Sequence, residues 1–275
     1  MSPAGEKRLH AARHALDTLL ECALTVEKNQ PSTLTGLFSP PPADATLSSS
    51  FVVAQIDQYT AGLAYARLSG QPTRNSTTQP PIPALLSQLA ESTDQCDPYA
   101  MAVLNAVLAK HHAHQLQDAH EPADTIVPFD RPQTVGMVGF IAPLVAALQG
   151  AGHRVECIER DSTLWQARPG LRVSGDANRL AACDTVLCTG TVLLNHSLAS
   201  MRAAARDCRR FVLIGPTVPL APDCLAACGI THLAGRTVSH SAAFWAACED
   251  GTDWSPHMTK FVLDIKKAPT DVGAP

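Results

Sequence analysis

Apolar residues near the start of the chain recur at helical spacing. Leu9, Ala12, Leu16, Leu19, Leu20 and Ala23 predict one amphipathic helix over roughly 5–28. FVVAQI and AGLAYARL, separated by the turn-like DQYT, read as two strands of a small antiparallel sheet. ALLSQLAES reads as a helix, and DPYAMAVLNAVLAKHHAH as a longer one in which Asp97 can cap the N-terminus and Pro98 suits the first turn. Met101, Val103, Leu104, Val107 and Leu108 are spread around that helix, so it is expected to be buried on more than one side. Asn105, a polar group within it, then needs a partner. SPPPADATLSSS and SGQPTRNSTTQPPIP read as Pro/Ser-rich loops between these elements.

From about Thr125 the pattern changes to β-branched runs alternating with Ala/Leu-rich helical segments. TVGMVGF, HRVECIER, DTVLCTG, RFVLIGP and THLAGR are five expected strands. PLVAALQGAG, ANRLAAC, SLASMRAAARDC, APDCLAACG and SHSAAFWAACEDG are the helices between or after them, with Phe244 and Trp245 packing the last one on the sheet. Alternation of this kind predicts a parallel sheet with right-handed crossovers. The expected fold class is α/β: a smaller N-terminal α+β domain at 1–122 and a Rossmann-like C-terminal domain at 123–275, joined near EPADTIVPFDRPQ. The KKAPTDVGAP tail is expected to fray.

Composition narrows the partners. A net charge of -4 without a Lys/Arg block argues against nucleic acid and acidic membranes, and no apolar window is long enough to span a bilayer, so a small-molecule ligand is the expected partner. The nine cysteines are odd in number and irregularly spaced, and MSPAGEKRLHAARHALDTLL lacks an apolar signal core, which points to the cytoplasm.

In an open parallel sheet, ligands bind beyond the carboxyl ends of the strands. Those ends read Gly139 through Pro143, Glu159-Arg160, Thr189-Gly190-Thr191 leading to Asn195, Gly215-Pro216-Thr217, and Ala234-Gly235. Glycine, proline and threonine also serve turns for conformational reasons alone. Gathered on one edge, the threonine hydroxyls and helix-start N–H groups suit an anionic or oxygen-rich ligand. Glu159 stands where nucleotide-binding Rossmann domains place an acid on a ribose hydroxyl, or it pairs with Arg154 or Arg160. VGMVGFIAP lacks the G-x-G-x-x-G order, so bound NAD is not the first choice.

VGMVGFIAPL, the acidic IER, DTVLCTGTVLLNHSL, FVLIGPTVPL and THLAGRTV together resemble a family of unknown function labelled as a heavy-metal chelation domain. DPYAMAVLNAVLA resembles the N-terminal portion of the same family. The resemblance implies a Rossmann-like domain preceded by an enolase-N-terminal-like domain, with a cleft between them as the site. It implies Gly139, Pro143, Glu159, Thr189, Gly190, Thr191, Asn195, Gly215, Pro216 and Thr217 as cleft residues, with Asn105 facing them from the other domain. The third-strand motif in that family reads like T-G-T-T-L-V-N-G-T. Here Val192, His196 and Ser197 replace a Thr, a Gly and a Thr, and His196 either adds a ligand or proton carrier or crowds the site.

Other groups have plainer readings. His111, His112, His114 and His120 cluster at a helix end, where histidine suits the dipole; His111 and His114 share a face and His112 points elsewhere. Cys224 and Cys228 read as buried structural thiols, and Cys188 as a core residue. The G-x-S-x-G, Walker and H-E-x-x-H motifs are absent. The leading expectation is a protein that binds an oxygen-rich or metal-chelating ligand in the cleft, with a divalent metal or metal chelate as the accompanying group and Glu159 and His196 as its protein ligands. The alternatives are an enzyme using S-adenosylmethionine or another nucleotide at the same edge, a metallophore sensor that works by domain closure, and metal storage by the histidines. A homodimer is the expected assembly.

Overall fold

The computed structural model describes residues 14–40, 50–66, 80–116, 126–127, 131–238 and 241–266. Residues 5–13 of the expected 5–28 helix, most of both Pro/Ser-rich loops, His120, most of the expected domain junction and nearly all of the tail lie outside the described residues.

The N-terminal part holds helix α1 (Ala15–Asn29), strands β1 (Leu34–Phe38), β2 (Phe51–Ile56) and β3 (Thr60–Tyr65), and helices α2 (Ile82–Ala90) and α3 (Pro98–His112). The strands form an antiparallel sheet in the order β1-β2-β3. β1 was not among the expected strands, because LTGLF carries a glycine at its centre and no run of β-branched residues. Every residue of β2 except Gln55 is buried because both faces of the sheet are covered. Val52, Ala54 and Ile56 pack with α1, α2 and α3, while Phe51 and Val53 pack against Phe244, Trp245 and Trp254 from the far end of the chain. The Phe244–Trp245 pair therefore packs its helix on this small sheet. α3 is capped as its sequence predicts, with Asp97 Oδ1 accepting from the N–H groups of Tyr99 (2.7 Å) and Ala100 (3.1 Å). All its residues from Pro98 to Leu108 are buried.

The C-terminal part is built on β4 (Thr134–Val138), β5 (Arg154–Ile158), β6 (Gln166–Arg168), β7 (Leu171–Ser174), β8 (Thr185–Thr189), β9 (Arg210–Ile214), β10 (His232–Val238) and β11 (Met258–Asp264). Its helices are α4 (Ala142–Gly150), α5 (Thr191–Leu194), α6 (Leu198–Ala204), α7 (Pro222–Ala227) and α8 (Ser241–Glu249). The sheet runs β11-β10-β9-β8-β4-β5-β7-β6. Between the edge strands, the pairs from β7 through β10 are all parallel, and their order is the Rossmann order 3-2-1-4-5-6. Antiparallel β6 and β11 close the two edges. These two strands and β7 were not among the five expected: every residue of β6 is exposed, so QAR carries no apolar pattern. ANRLAAC forms a 3-10 turn (Ala177–Ala182) rather than an α-helix, started by Asp176 and held to β5 by a two-bond Arg179–Glu156 pair at 2.6 and 3.1 Å.

One continuous apolar core runs from Leu19 and Leu20 on α1, through α3, to Leu193 and Leu194 on α5 and Leu225 on α7. The two parts are therefore packed as a single body, which argues against wide opening about a hinge. No helix among the described residues is long and apolar enough to cross a membrane.

Candidate functional site: a cationic pocket between the two sheets

The order reversal between β4 and β8 places Gly139 and Thr189 side by side: a side chain on Gly139 would come within 3.1 Å of the Thr189 methyl. This is the switch point at which Rossmann folds bind ligands. Its polar groups are engaged with one another. Glu159 Oε2 accepts from Phe140 N–H (2.8 Å) and Oε1 from Asp161 N–H (3.0 Å), so both carboxylate oxygens fasten the loops after β4 and β5. Thr189 Oγ1 accepts from the Thr191 hydroxyl at 3.3 Å and the Thr191 N–H at 3.4 Å. Asn195 Oδ1 accepts from the Ser197 N–H (3.2 Å) and hydroxyl (2.5 Å). Gly190 N–H donates to Ile214 O, and its lack of a side chain admits the Thr217–Val218 backbone, which a Cβ would meet at 2.9 Å. Pro143 sits in the first turn of α4.

His196 follows α5 at φ +56, a left-handed conformation that strongly favours glycine. The glycine that the resemblance places here thus has a backbone reason. The His196 ring reaches across to the N-terminal part, with Nε2 3.3 Å from Ser92 Oγ and 3.7 Å from Cys96 Sγ. Its neighbours differ from those of Glu159, and among the described residues no group of three or more His, Cys, Asp and Glu side chains is arranged to hold a metal ion.

An open cavity of about 250 Å³ lies further along the same edge, beyond β9 and β10, where the C-terminal part meets β3 and α3. Asn105 and Pro216 line it; the other residues singled out in the sequence do not. Asn105, only 4% exposed, donates through Nδ2 to Leu63 O (2.7 Å) and Thr217 O (3.0 Å) and so ties β3 to the loop after β9. Both partners are carbonyls, which fixes the orientation of the amide. Its Oδ1 is buried and has no hydrogen-bond partner among the described residues. Thr217 is buried behind the wall, where its hydroxyl accepts from Tyr65 N–H at 3.1 Å.

Two cations border the cavity. Lys110 is satisfied by Asp57 (2.9 Å) and Ser32 (3.0 Å), and Thr33 N–H together with Lys110 holds the Asp57 carboxyl below its usual range. Arg236, half-buried within β10, has no ion pair or hydrogen bond among the described residues, and burial lowers its pKa. THLAGR is the strand expected here, with Ala234-Gly235 as its polar end and no role given to Arg236. An arginine inside an otherwise apolar strand was the available signal.

Two solved structures share this architecture. One is from Pyrococcus horikoshii (TM-score 0.69, 17% identity, covering 91% of this chain and 99% of that one), and the other from Desulfitobacterium hafniense (TM-score 0.63, 16% identity, 90% and 98%). Both are described as proteins of unknown function from the DUF364 family, and at such identities the likeness shows the fold alone. An uncharacterized protein of Methanocaldococcus jannaschii is 24% identical over 144 residues, which are 50% of this chain and 53% of that protein, so the chain matches about half the length of this relative. The model of the family DUF364, described as "Putative heavy-metal chelation", matches residues 121–266, more than half of the chain, and the chain belongs to that family.

Proposed function

We propose that the pocket beyond β9 and β10 binds a small, anionic, oxygen-rich molecule, either free or carrying a metal ion as a chelate. The observation that carries this reading is Arg236, a half-buried guanidinium without a partner among the described residues, on the wall of a cavity shared by both parts of the chain. A guanidinium removed from water matches carboxylate or phosphate with paired hydrogen bonds. The pocket offers cations and an amide, with no carboxylate or thiolate among its lining residues, so a bare metal cation does not fit it. A metal would arrive as cargo, already coordinated by the bound anion.

The nucleotide-cofactor alternative receives less support. The Glu159 carboxylate, which would meet a ribose, already takes two backbone N–H groups.

Native mass spectrometry of untagged, gently purified protein, followed by titration with citrate and with inorganic phosphate, tests the proposal. A retained organic mass or a saturable citrate or phosphate adduct, lost in Arg236→Ala, is the expected result. A protein that carries no mass and takes up neither anion would overturn it.

A further inference from the structure

The cavity beyond β9 and β10 carries one cation on a wall from the N-terminal part and another on a wall from the C-terminal part. On the first wall, Asn105, Ala109 and Ala113 recur at four-residue spacing along α3 and the 3-10 turn that continues it (Ala113–Leu116), so they share one stripe. The two alanines are short enough to leave room for a ligand, and Lys110 flanks them. Asp57 Oδ2 at 2.9 Å and Ser32 Oγ at 3.0 Å occupy two of the three N–H donors of the Lys110 ammonium, which leaves one. Asp57 itself is not among the residues that line the cavity.

On the second wall, Arg236 in β10 stands directly opposite Lys260 in β11, and opposite residues of an antiparallel pair project from the same face of the sheet. Like charges in this relation repel one another. Lys260 is exposed and water screens part of the repulsion, but neither cation has an ion pair among the described residues. Counted over the lining residues and the groups paired with them, three cations (Lys110, Arg236 and Lys260) meet the single carboxylate of Asp57, an excess of two positive charges among the described residues. A dianion balances that excess. Most of the remaining lining is apolar, including Leu116, Val218, Leu220, Val238 and Phe261, which suits a hydrocarbon spacer better than a chain of hydroxyls. The volume of about 250 Å³ lies below the roughly 300–1,000 Å³ of pockets for drug-sized ligands, so the spacer is short.

We propose that the pocket selects short dicarboxylates over monocarboxylates. One carboxylate pairs with the Arg236 guanidinium, the other accepts the remaining N–H of Lys110, and the carbon chain between them lies on the apolar lining. This rests on the anion-binding reading of the same pocket and names the kind of anion. Because the two cations stand on walls from different parts of the chain, the ligand bridges those parts and its two ends must match one separation.

Calorimetric titration of the full-length chain at pH 7.5, where both ends of each diacid are ionised, tests this with malonate, succinate, glutarate and adipate against butyrate and valerate. Wild type is expected to show an optimum length within the dicarboxylate series. At that optimum, binding should be about tenfold or more tighter than for either monocarboxylate, the scale of one added charge-assisted hydrogen bond. This length dependence needs no variant and so cannot be confused with a folding defect. Lys110→Met, checked for an unchanged fold by circular dichroism, is expected to bring the best dicarboxylate to within about twofold of butyrate. Equal binding of dicarboxylates and monocarboxylates by wild type, or a preference that survives Lys110→Met, would overturn the two-ended reading while leaving an anion pocket at Arg236. Failure of wild type to bind any of these acids, citrate or phosphate would overturn both.

Discussion

At the β4–β8 switch point, Glu159 closes on the N–H groups of Phe140 and Asp161, Thr191 donates to Thr189, and Asn195 accepts from Ser197. Beyond β9 and β10, on the same edge of the same sheet, Arg236 has no ion pair or hydrogen bond among the described residues. Both places carry side chains that favour ligands. At the first, the loops consume their hydrogen-bonding capacity and the result is a rigid set of turns. At the second, capacity remains after folding, because the half-buried Arg236 guanidinium can still take a charged partner from a ligand. Polar composition at a strand end is therefore weaker evidence for a site than polar groups left over.

The pocket exists because β3 and α3 approach closely, and the largest expected effect comes from separating them. A Cβ on Gly62 would lie 2.0 Å from Ala102 O and 2.3 Å from Ala106 N, both of them backbone atoms of α3 that no rotamer change can move. Gly62→Ala is expected to cost about 3 kcal/mol or more in urea unfolding and to abolish anion uptake. A cost below about 1 kcal/mol would mean that the wall yields easily. Asn105→Leu comes next, at about 2 kcal/mol, because the carbonyls of Leu63 and Thr217 lose their shared donor in a buried position. If urea midpoints stay unchanged, the amide is not what ties the two parts together.

Glu159→Ala and Arg236→Ala sharpen the contrast directly. The first removes two charge-assisted bonds from partly exposed loops and is expected to lower stability by about 1 kcal/mol while anion uptake is retained. The second removes no bond found in the described structure, so stability should stay within about 0.5 kcal/mol while citrate and phosphate uptake disappears. The reverse pattern, with binding lost in Glu159→Ala and kept in Arg236→Ala, would move the site back to the switch point.

The parallel sheet is legible in the sequence where its strands are apolar runs, as in β4, β8 and β9, buried along almost their whole length, but not at β7, whose Arg172 is exposed; the N-terminal helices are legible through spacing and the Asp97 cap. Arg236 stands last in the expected strand THLAGR, but β10 runs on to Val238 in pairing with β11, so Arg236 lies inside the strand rather than at its end. Thr217 looked like a ligand hydroxyl, but its partner is Tyr65, a contact set by how the two parts dock. His112, which helical spacing turned away from its neighbours, is the buried one, again a result of tertiary packing.

The smallest expected effect concerns His196. At φ +56 an ordinary side chain is strained by about 1 kcal/mol, which glycine would relieve. Glycine also gains freedom in the unfolded chain, and the contacts with Ser92 and Cys96 would go. His196→Gly is therefore expected to change stability by less than about 0.5 kcal/mol. His196→Val adds β-branching in the left-handed region and should fall at least about 1 kcal/mol below the glycine variant. Stabilities from urea unfolding that rank glycine well above valine, with anion uptake intact in both, identify the position as a backbone requirement that histidine happens to meet. Equal stabilities, with uptake lost in both, would instead make His196 part of the binding machinery and join the switch point to the pocket as one site.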